Sequence, residues 1–249
     1  MIFGSETIST YTRTNVSIWL VLAFQAGYLN IGGYLACHSF VSHVTGFYTL
    51  FGHEFNRTHF WAASAMLLVP GFFLMGTMVS GYLIDLRIQM RKAPKYYIVF
   101  GIMFLLLLFV VVGGFNHLFA EFGTPMETTE DYSLLILLCL VCGIQNGMVT
   151  LVSRAVVRTT HMTGLTTDLG VGLMRVWNQK LLKKRDDGEM RANYMRIGII
   201  VCFTLGSALA ASIFEHFAYR GFIVPVIITG LLFSICFYFQ VLRANAVST

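Results

Sequence analysis

Residues 132–152 read Tyr-Ser-Leu-Leu-Ile-Leu-Leu-Cys-Leu-Val-Cys-Gly-Ile-Gln-Asn-Gly-Met-Val-Thr-Leu-Val. The run is apolar all round, carries no Asp, Glu, Lys or Arg, and has about the 20 residues a helix needs to cross a hydrocarbon core of ~30 Å. Its two carboxamides, Gln145 and Asn146, sit side by side in the second half. Runs 16–36, 61–86, 96–115, 197–214 and 222–242 have a similar apolar character. A spanning backbone must satisfy its own hydrogen bonds, so these runs are expected as helices. A barrel would instead show segments of about ten residues with alternating polarity, and these runs do not alternate.

The composition agrees. The 249 residues are 56% hydrophobic and 12% charged, against about 25% charged in soluble domains. One soluble core of this size would lack the polar side chains to cover its surface, and disorder, collagen and coiled coil need quite different chains. The expectation is an all-α membrane protein, one transmembrane domain over residues 1–249, with six transmembrane helices. Cys37, Cys139, Cys142, Cys202 and Cys236 lie in or beside the apolar runs and read as small hydrophobes. Cys139 and Cys142 have redox or metal spacing but no partner pair. No secretory leader is expected, because the first apolar run continues past any plausible cleavage site.

The basic residues orient the set. Arg87, Arg91, Lys92 and Lys95 lie between the second and third runs; Arg175, Lys180, Lys183, Lys184, Arg185, Arg191 and Arg196 lie between the fourth and fifth. Between the third and fourth are Glu121, Glu127, Glu130 and Asp131, with no Lys or Arg. The positive-inside rule puts the basic loops and both termini of a multi-pass protein in the cytoplasm.

The halves of the chain echo each other. Ala26-Gly-Tyr-Leu-Asn30 answers Cys142-Gly-Ile-Gln-Asn146, and Ser42-His-Val-Thr-Gly46 answers Thr160-His-Met-Thr-Gly164. The offset is 116 at the asparagines and 118 at the histidines. Thr49 and Gly52 then match Thr167 and Gly170; Gly76 matches Gly206 at 130 and Gly101 matches Gly230 at 129. Three spans per half give two inverted repeats, about 16–116 and 132–243, related by a pseudo-two-fold axis in the membrane plane. Segments 37–52 and 153–170 are too polar and too rich in Gly and Thr for ordinary spans. Each is expected as a broken or re-entrant segment, with an amphipathic interfacial helix as the alternative.

With these motifs in view, Ala26-Gly-Tyr-Leu-Asn30, Val44-Thr-Gly46, Gly143-Ile-Gln-Asn146 and Arg158-Thr-Thr-His-Met-Thr-Gly164 followed by Asp168-Leu-Gly170, the chain resembles the YoaK-like family of bacterial six-helix membrane proteins. That family is a domain of unknown function, so the resemblance implies fold and location but no reaction. Asn30 stands where the family often has an acidic residue, and His43 and Phe47 where it often has asparagines.

The candidate substrate or ion pathway is Gly27, Asn30, His43, Thr45, Gly46, Gln145, Asn146, His161, Thr163, Gly164 and Asp168. Gly-x-x-Asn puts a small residue and an amide on one helix face, suited either to interhelical packing or to a dry polar site. A histidine at membrane depth points to function, although a hydrogen bond to a loop carbonyl would also hold one. Unwound Thr-Gly segments would point amides and hydroxyls at a ligand, or merely cap helices. Asp168 lies seven residues after His161, whereas Leu50 holds that place after His43, so any proton coupling is assigned to His161. Arg154 and Arg158 either pair with Asp168 or snorkel to headgroups. His38, His43, His53 and His59 match no standard zinc spacing.

No hydrolase elbow, phosphate loop, dinucleotide fingerprint or zinc-protease motif is present. The expectation is a small secondary transporter or permease with a midplane site, not an enzyme, without cofactor or metal. Its partners would be the lipid bilayer and a small molecule or ion, with no nucleic acid and a homo-oligomer left open. The alternatives are a membrane-embedded enzyme using the His and Thr residues, or a structural or regulatory lipid-binding protein.

Overall fold

The computed structural model describes residues 12–56, 60–124, 129–153, 159–182 and 187–243. Among these residues every regular element is a helix. Helix α1 (Arg13–Cys37) begins at Thr12, whose hydroxyl accepts from the Asn15 N–H at 3.3 Å and satisfies one of the free donors of the first turn. It ends where His38 adopts a left-handed φ of 49°. After a short break come α2 (Val44–Asn56) and α3 (Phe60–Ser80), which runs through a π turn (Gly81–Asp85) into α4 (Leu86–Gln89). Then follow α5 (Tyr96–Phe115), α6 (Thr129–Val152), α7 (Met162–Leu182), α8 (Asp187–Phe217), a 3-10 turn (Ala218–Phe222) and α9 (Ile223–Phe237).

Among the described residues, five helical stretches are long and apolar enough to cross a membrane: Arg13–Cys37, Met66–Gln89, Tyr96–Phe115, Tyr132–Val152 and Asp187–Leu242. The chain is therefore a multi-pass helical membrane protein. The fifth stretch has 56 residues, and a straight helix of that length would reach ~84 Å at 1.5 Å per residue. It is not straight. Ala218 has φ 44°, the 3-10 turn follows, and the arms pack on different partners, α8 on α1 and α9 on α5.

Segments 37–52 and 153–170 each contain a break between helices, but not at the Thr-Gly pairs. Thr45-Gly46 and Thr163-Gly164 are not unwound; they lie in the first turns of continuous helices α2 and α7, and the breaks come before them. The physical reason is local. Thr49 Oγ1 donates to Thr45 O and Thr167 Oγ1 to Thr163 O, both at 3.0 Å, so the hydroxyls that made these segments look too polar to be helical are satisfied one turn back. Arg154, Arg158, Lys183, Lys184, Arg185, His59 and Glu127 lie outside the described residues.

The helices form a row: α2 packs on α3, α3 on α6, α6 on α1, α1 on α8 and α8 on α7, while α5 and α9 pair with each other. Glycines set the closest approaches. A Cβ on Gly27 or Gly206 would strike the carbonyl of Phe203 or Phe24, across the α1–α8 contact. The same is true of Gly143 against Phe73 and Gly76 against Leu140, across α3–α6. Small residues of this kind let helix backbones approach in a membrane, where lipid is as apolar as the side chains. Gly76→Ala should therefore lower stability by about 1–3 kcal/mol, since backbone must move. Gly71→Ala, on the same helix but facing open space, should leave stability unchanged or raise it by up to about 1 kcal/mol. Thermal unfolding of the detergent-purified protein separates the two; equal shifts would refute the close-approach account.

Candidate functional site

The row places α1 against α6, and the polar residues of the two central helices meet there. Gln25 Nε2 donates to Gln145 Oε1 at 2.9 Å, and Gln145 Nε2 donates to Leu22 O at 2.9 Å. Both side chains are buried, Gln25 with no exposed surface. One acceptor is left over: Gln25 Oε1 is buried with no partner among the described residues. An unmade hydrogen bond at a buried polar atom costs about 1–3 kcal/mol.

Each asparagine gathers the break that follows its own helix. Asn30 Oδ1 accepts from the Ser42 N–H at 3.2 Å and from Ser42 Oγ at 2.9 Å. Asn146 Oδ1 accepts from Thr160 Oγ1 at 2.8 Å, and its Nδ2 lies 3.2 Å from His161 Nε2. With Asn146 so oriented, its amide nitrogen can only donate, so His161 Nε2 accepts and the neutral ring carries its proton on Nδ1. A second orphan lies beside this group, the buried hydroxyl of Thr159.

The central helices run antiparallel: Gln25 meets Gln145, while Cys139, nearer the start of α6, donates to Val41 O just past the end of α1. Asn30 and Asn146 therefore lie on opposite sides of the glutamine pair, about six residues or ~9 Å apart along the axis. The candidate residues form two stations, Asn30 with Ser42 and Asn146 with Thr160 and His161, joined by the glutamines, rather than one cluster. Gly27 is buried at the α1–α8 contact and Gly46 lies against the ring of its own neighbour His43. His43, Thr45, His161, Thr163 and Asp168 are exposed on the surface, Asp168 on α7 beyond the helix start. Gly164 is half-buried in the first turn of α7.

Gln25, Ser42, Thr159 and Thr160 were not among the expected site residues. Ser42 and Thr160 occupy matching places directly before the histidines, and that match was the available signal. Gln25 has Val141 at its equivalent position, so a search for repeated residues passes over it. Asn146→Ala should remove partners from both Thr160 and His161 and cost about 1–3 kcal/mol. Asn146→Asp should keep the Thr160 bond and lose the donor to neutral His161. Unfolding curves for both variants test this; an Asn146→Ala protein as stable as wild type would show that Asn146 does not hold the second break.

The profile of the family described as "Protein of unknown function (DUF1275)" matches residues 18–235. No curated protein and no solved structure matches the chain.

Proposed function

Because the chain belongs to the DUF1275 family of unknown function, we propose its role from its geometry: a small secondary transporter or permease of the bacterial inner membrane. One observation carries the proposal. The buried Gln25–Gln145 amide pair keeps an acceptor, Gln25 Oε1, without a partner among the described residues at the contact of the two central helices. A fold has no use for an unsatisfied buried carbonyl in a low-dielectric surrounding, whereas a site that is alternately filled and emptied does. The substrate would be a small solute bearing an N–H or O–H donor, handed between the Asn30 and Asn146 stations past Gln25.

The paired contacts support an inverted repeat. Gly27 on Phe203 and Gly143 on Phe73 exchange under the same offsets that relate the sequence halves, 116 and 130. Gly101 meets the Phe233 ring while Gly230 meets the Phe104 ring, a reciprocal contact of the kind a two-fold axis produces. On this proposal the Asp187–Leu242 stretch crosses twice, which makes six crossings, and the basic loops and both termini face the cytoplasm. Alternating access would then be a rocking of one repeat against the other.

Single cysteines placed from Glu121 to Thr124 in a background without the five native cysteines should react with an impermeant maleimide only from the outer face. Labelling from the cytoplasmic face alone would end the inverted-repeat proposal. In proteoliposomes, light-scattering or tracer flux of urea, glycerol and methylammonium should exceed that of empty vesicles for at least one solute and fall about tenfold in Gln25→Leu, as loss of one buried hydrogen bond of ~1.4 kcal/mol implies. Flux equal to that of empty vesicles for all three would count against transport of small donors.

A further inference from the structure

A second polar cluster lies where α7 packs on α8, away from the central helices. Glu189, Asn193 and Arg196 stand four and three residues apart on α8 and share one face. Arg196 Nη1 donates to Glu189 Oε1 at 2.7 Å and to Asn193 Oδ1 at 2.6 Å. From α7, Arg175 Nη1 donates to Glu189 Oε2 at 3.2 Å. The group closes over Gly172, where a Cβ would strike Asn193 Oδ1 and crowd Arg196 and Glu189. The missing side chain leaves the room that the cluster fills.

The cluster has more donors than acceptors. Arg196 can only donate, so the Asn193 amide must turn its oxygen toward Arg196 and its nitrogen away. That nitrogen is buried, Asn193 being 4% exposed, and has no partner among the described residues. Each guanidinium is engaged through Nη1, with Nε and Nη2 available to another acceptor. Two guanidiniums against one carboxylate leave a net positive charge. A group with several oxygens and negative charge fits this set, and arginine forks suit phosphate in particular.

The surroundings indicate the source of the phosphate. Trp177, two residues after Arg175, is 71% exposed, and Tyr194, next to Asn193, is 69% exposed. Tryptophan and tyrosine collect at the headgroup level of a bilayer, and the apolar run 197–214 begins directly after Arg196. At the offset of 130, Asn193 and Arg196 correspond to Ala63 and Met66, so the cluster is no part of the repeated core. We propose that Arg175, Asn193 (through its amide nitrogen) and Arg196 bind a phosphate group at the α7–α8 contact, supplied by the headgroup of an anionic phospholipid on the basic face of the protein.

Native mass spectrometry of the full chain in detergent, with phosphatidylglycerol or phosphatidylcholine added, tests the proposal. The wild type should retain phosphatidylglycerol in preference, and Arg175→Gln and Asn193→Asp should each lower its occupancy about tenfold. Arg175 is 64% exposed, so its replacement leaves the packing intact and the loss is not one of folding. Arg191→Gln, two residues from Glu189 and so on the other side of α8, should retain the lipid. A thermal shift by inorganic phosphate in lipid-free detergent, present in wild type, absent in both variants and without lipid preference, would uphold the phosphate site and assign it to the free ion. Equal lipid retention and equal phosphate response in wild type and both variants would overturn the proposal, as would the same loss in Arg191→Gln, which would mean diffuse attraction to a basic surface.

Discussion

The structure depends on how closely two pairs of helix backbones approach. In lipid, apolar side chains gain little from each other that the surrounding chains do not already offer, so helix association rests on close packing and interhelical hydrogen bonds. Gly27 and Gly206 bring α1 onto α8, and Gly76 and Gly143 bring α3 onto α6, until carbonyl oxygens occupy the space of the absent Cβ atoms. Hydroxyls then bind across the same contacts. Ser207 Oγ donates to Gly27 O at 3.1 Å, Thr77 Oγ1 to Gly143 O at 3.3 Å, and Ser80 Oγ to Ile144 O at 2.6 Å. With both pairs fixed, α1 and α6 are left to meet each other, and their amides are drawn into the centre. The polar core is a consequence of glycine placement.

This dependence explains why much of the fold was legible in the sequence. Apolar length and the charge of the loops do not rely on tertiary contacts, and the glycines that make the contacts recur in register as Gly27 with Gly143 and Gly76 with Gly206. The break between α8 and α9 was also legible, as a gap between apolar runs. Yet the chain stays helical through Ala218–Phe222 by tightening to a 3-10 turn, so the last two runs form one continuous helical stretch. The Thr-Gly segments misled for a specific reason. Threonine hydroxyls count as polar in any composition window, but those of Thr49 in α2 and Thr167 in α7 bind the carbonyl four residues back and demand nothing from outside the helix.

The site was less legible than the fold. Asn30, Gln145, Asn146 and His161 could be picked out as polar groups in apolar surroundings, and each has a polar partner in the structure. Which groups pair depends on depth, however, and depth follows from the antiparallel register of α1 and α6. Equivalent residues of the halves were expected to face one another. They instead lie at two levels, because Asn30 and Asn146 lie on opposite sides of the Gln25–Gln145 contact along the antiparallel helices.

That displacement leaves an unlike pair at the crossing. Gln25 has Val141 as its equivalent and Gln145 has Leu29, so the central contact is made by residues that do not exchange under the repeat. Their roles differ accordingly. Gln145 both donates to Leu22 O and accepts from Gln25, whereas Gln25 donates to Gln145 and its oxygen has no partner among the described residues. The stations differ too: among the described residues Asn30 engages only Ser42, whereas Asn146 is pinned by Thr160 and His161 together. A perfectly symmetric pair of repeats would present the same chemistry at both faces. The glycine contacts recur at the offsets of the sequence repeat while the central hydrogen bonds do not, so under the proposed transport role a nearly two-fold frame would still give its path a direction.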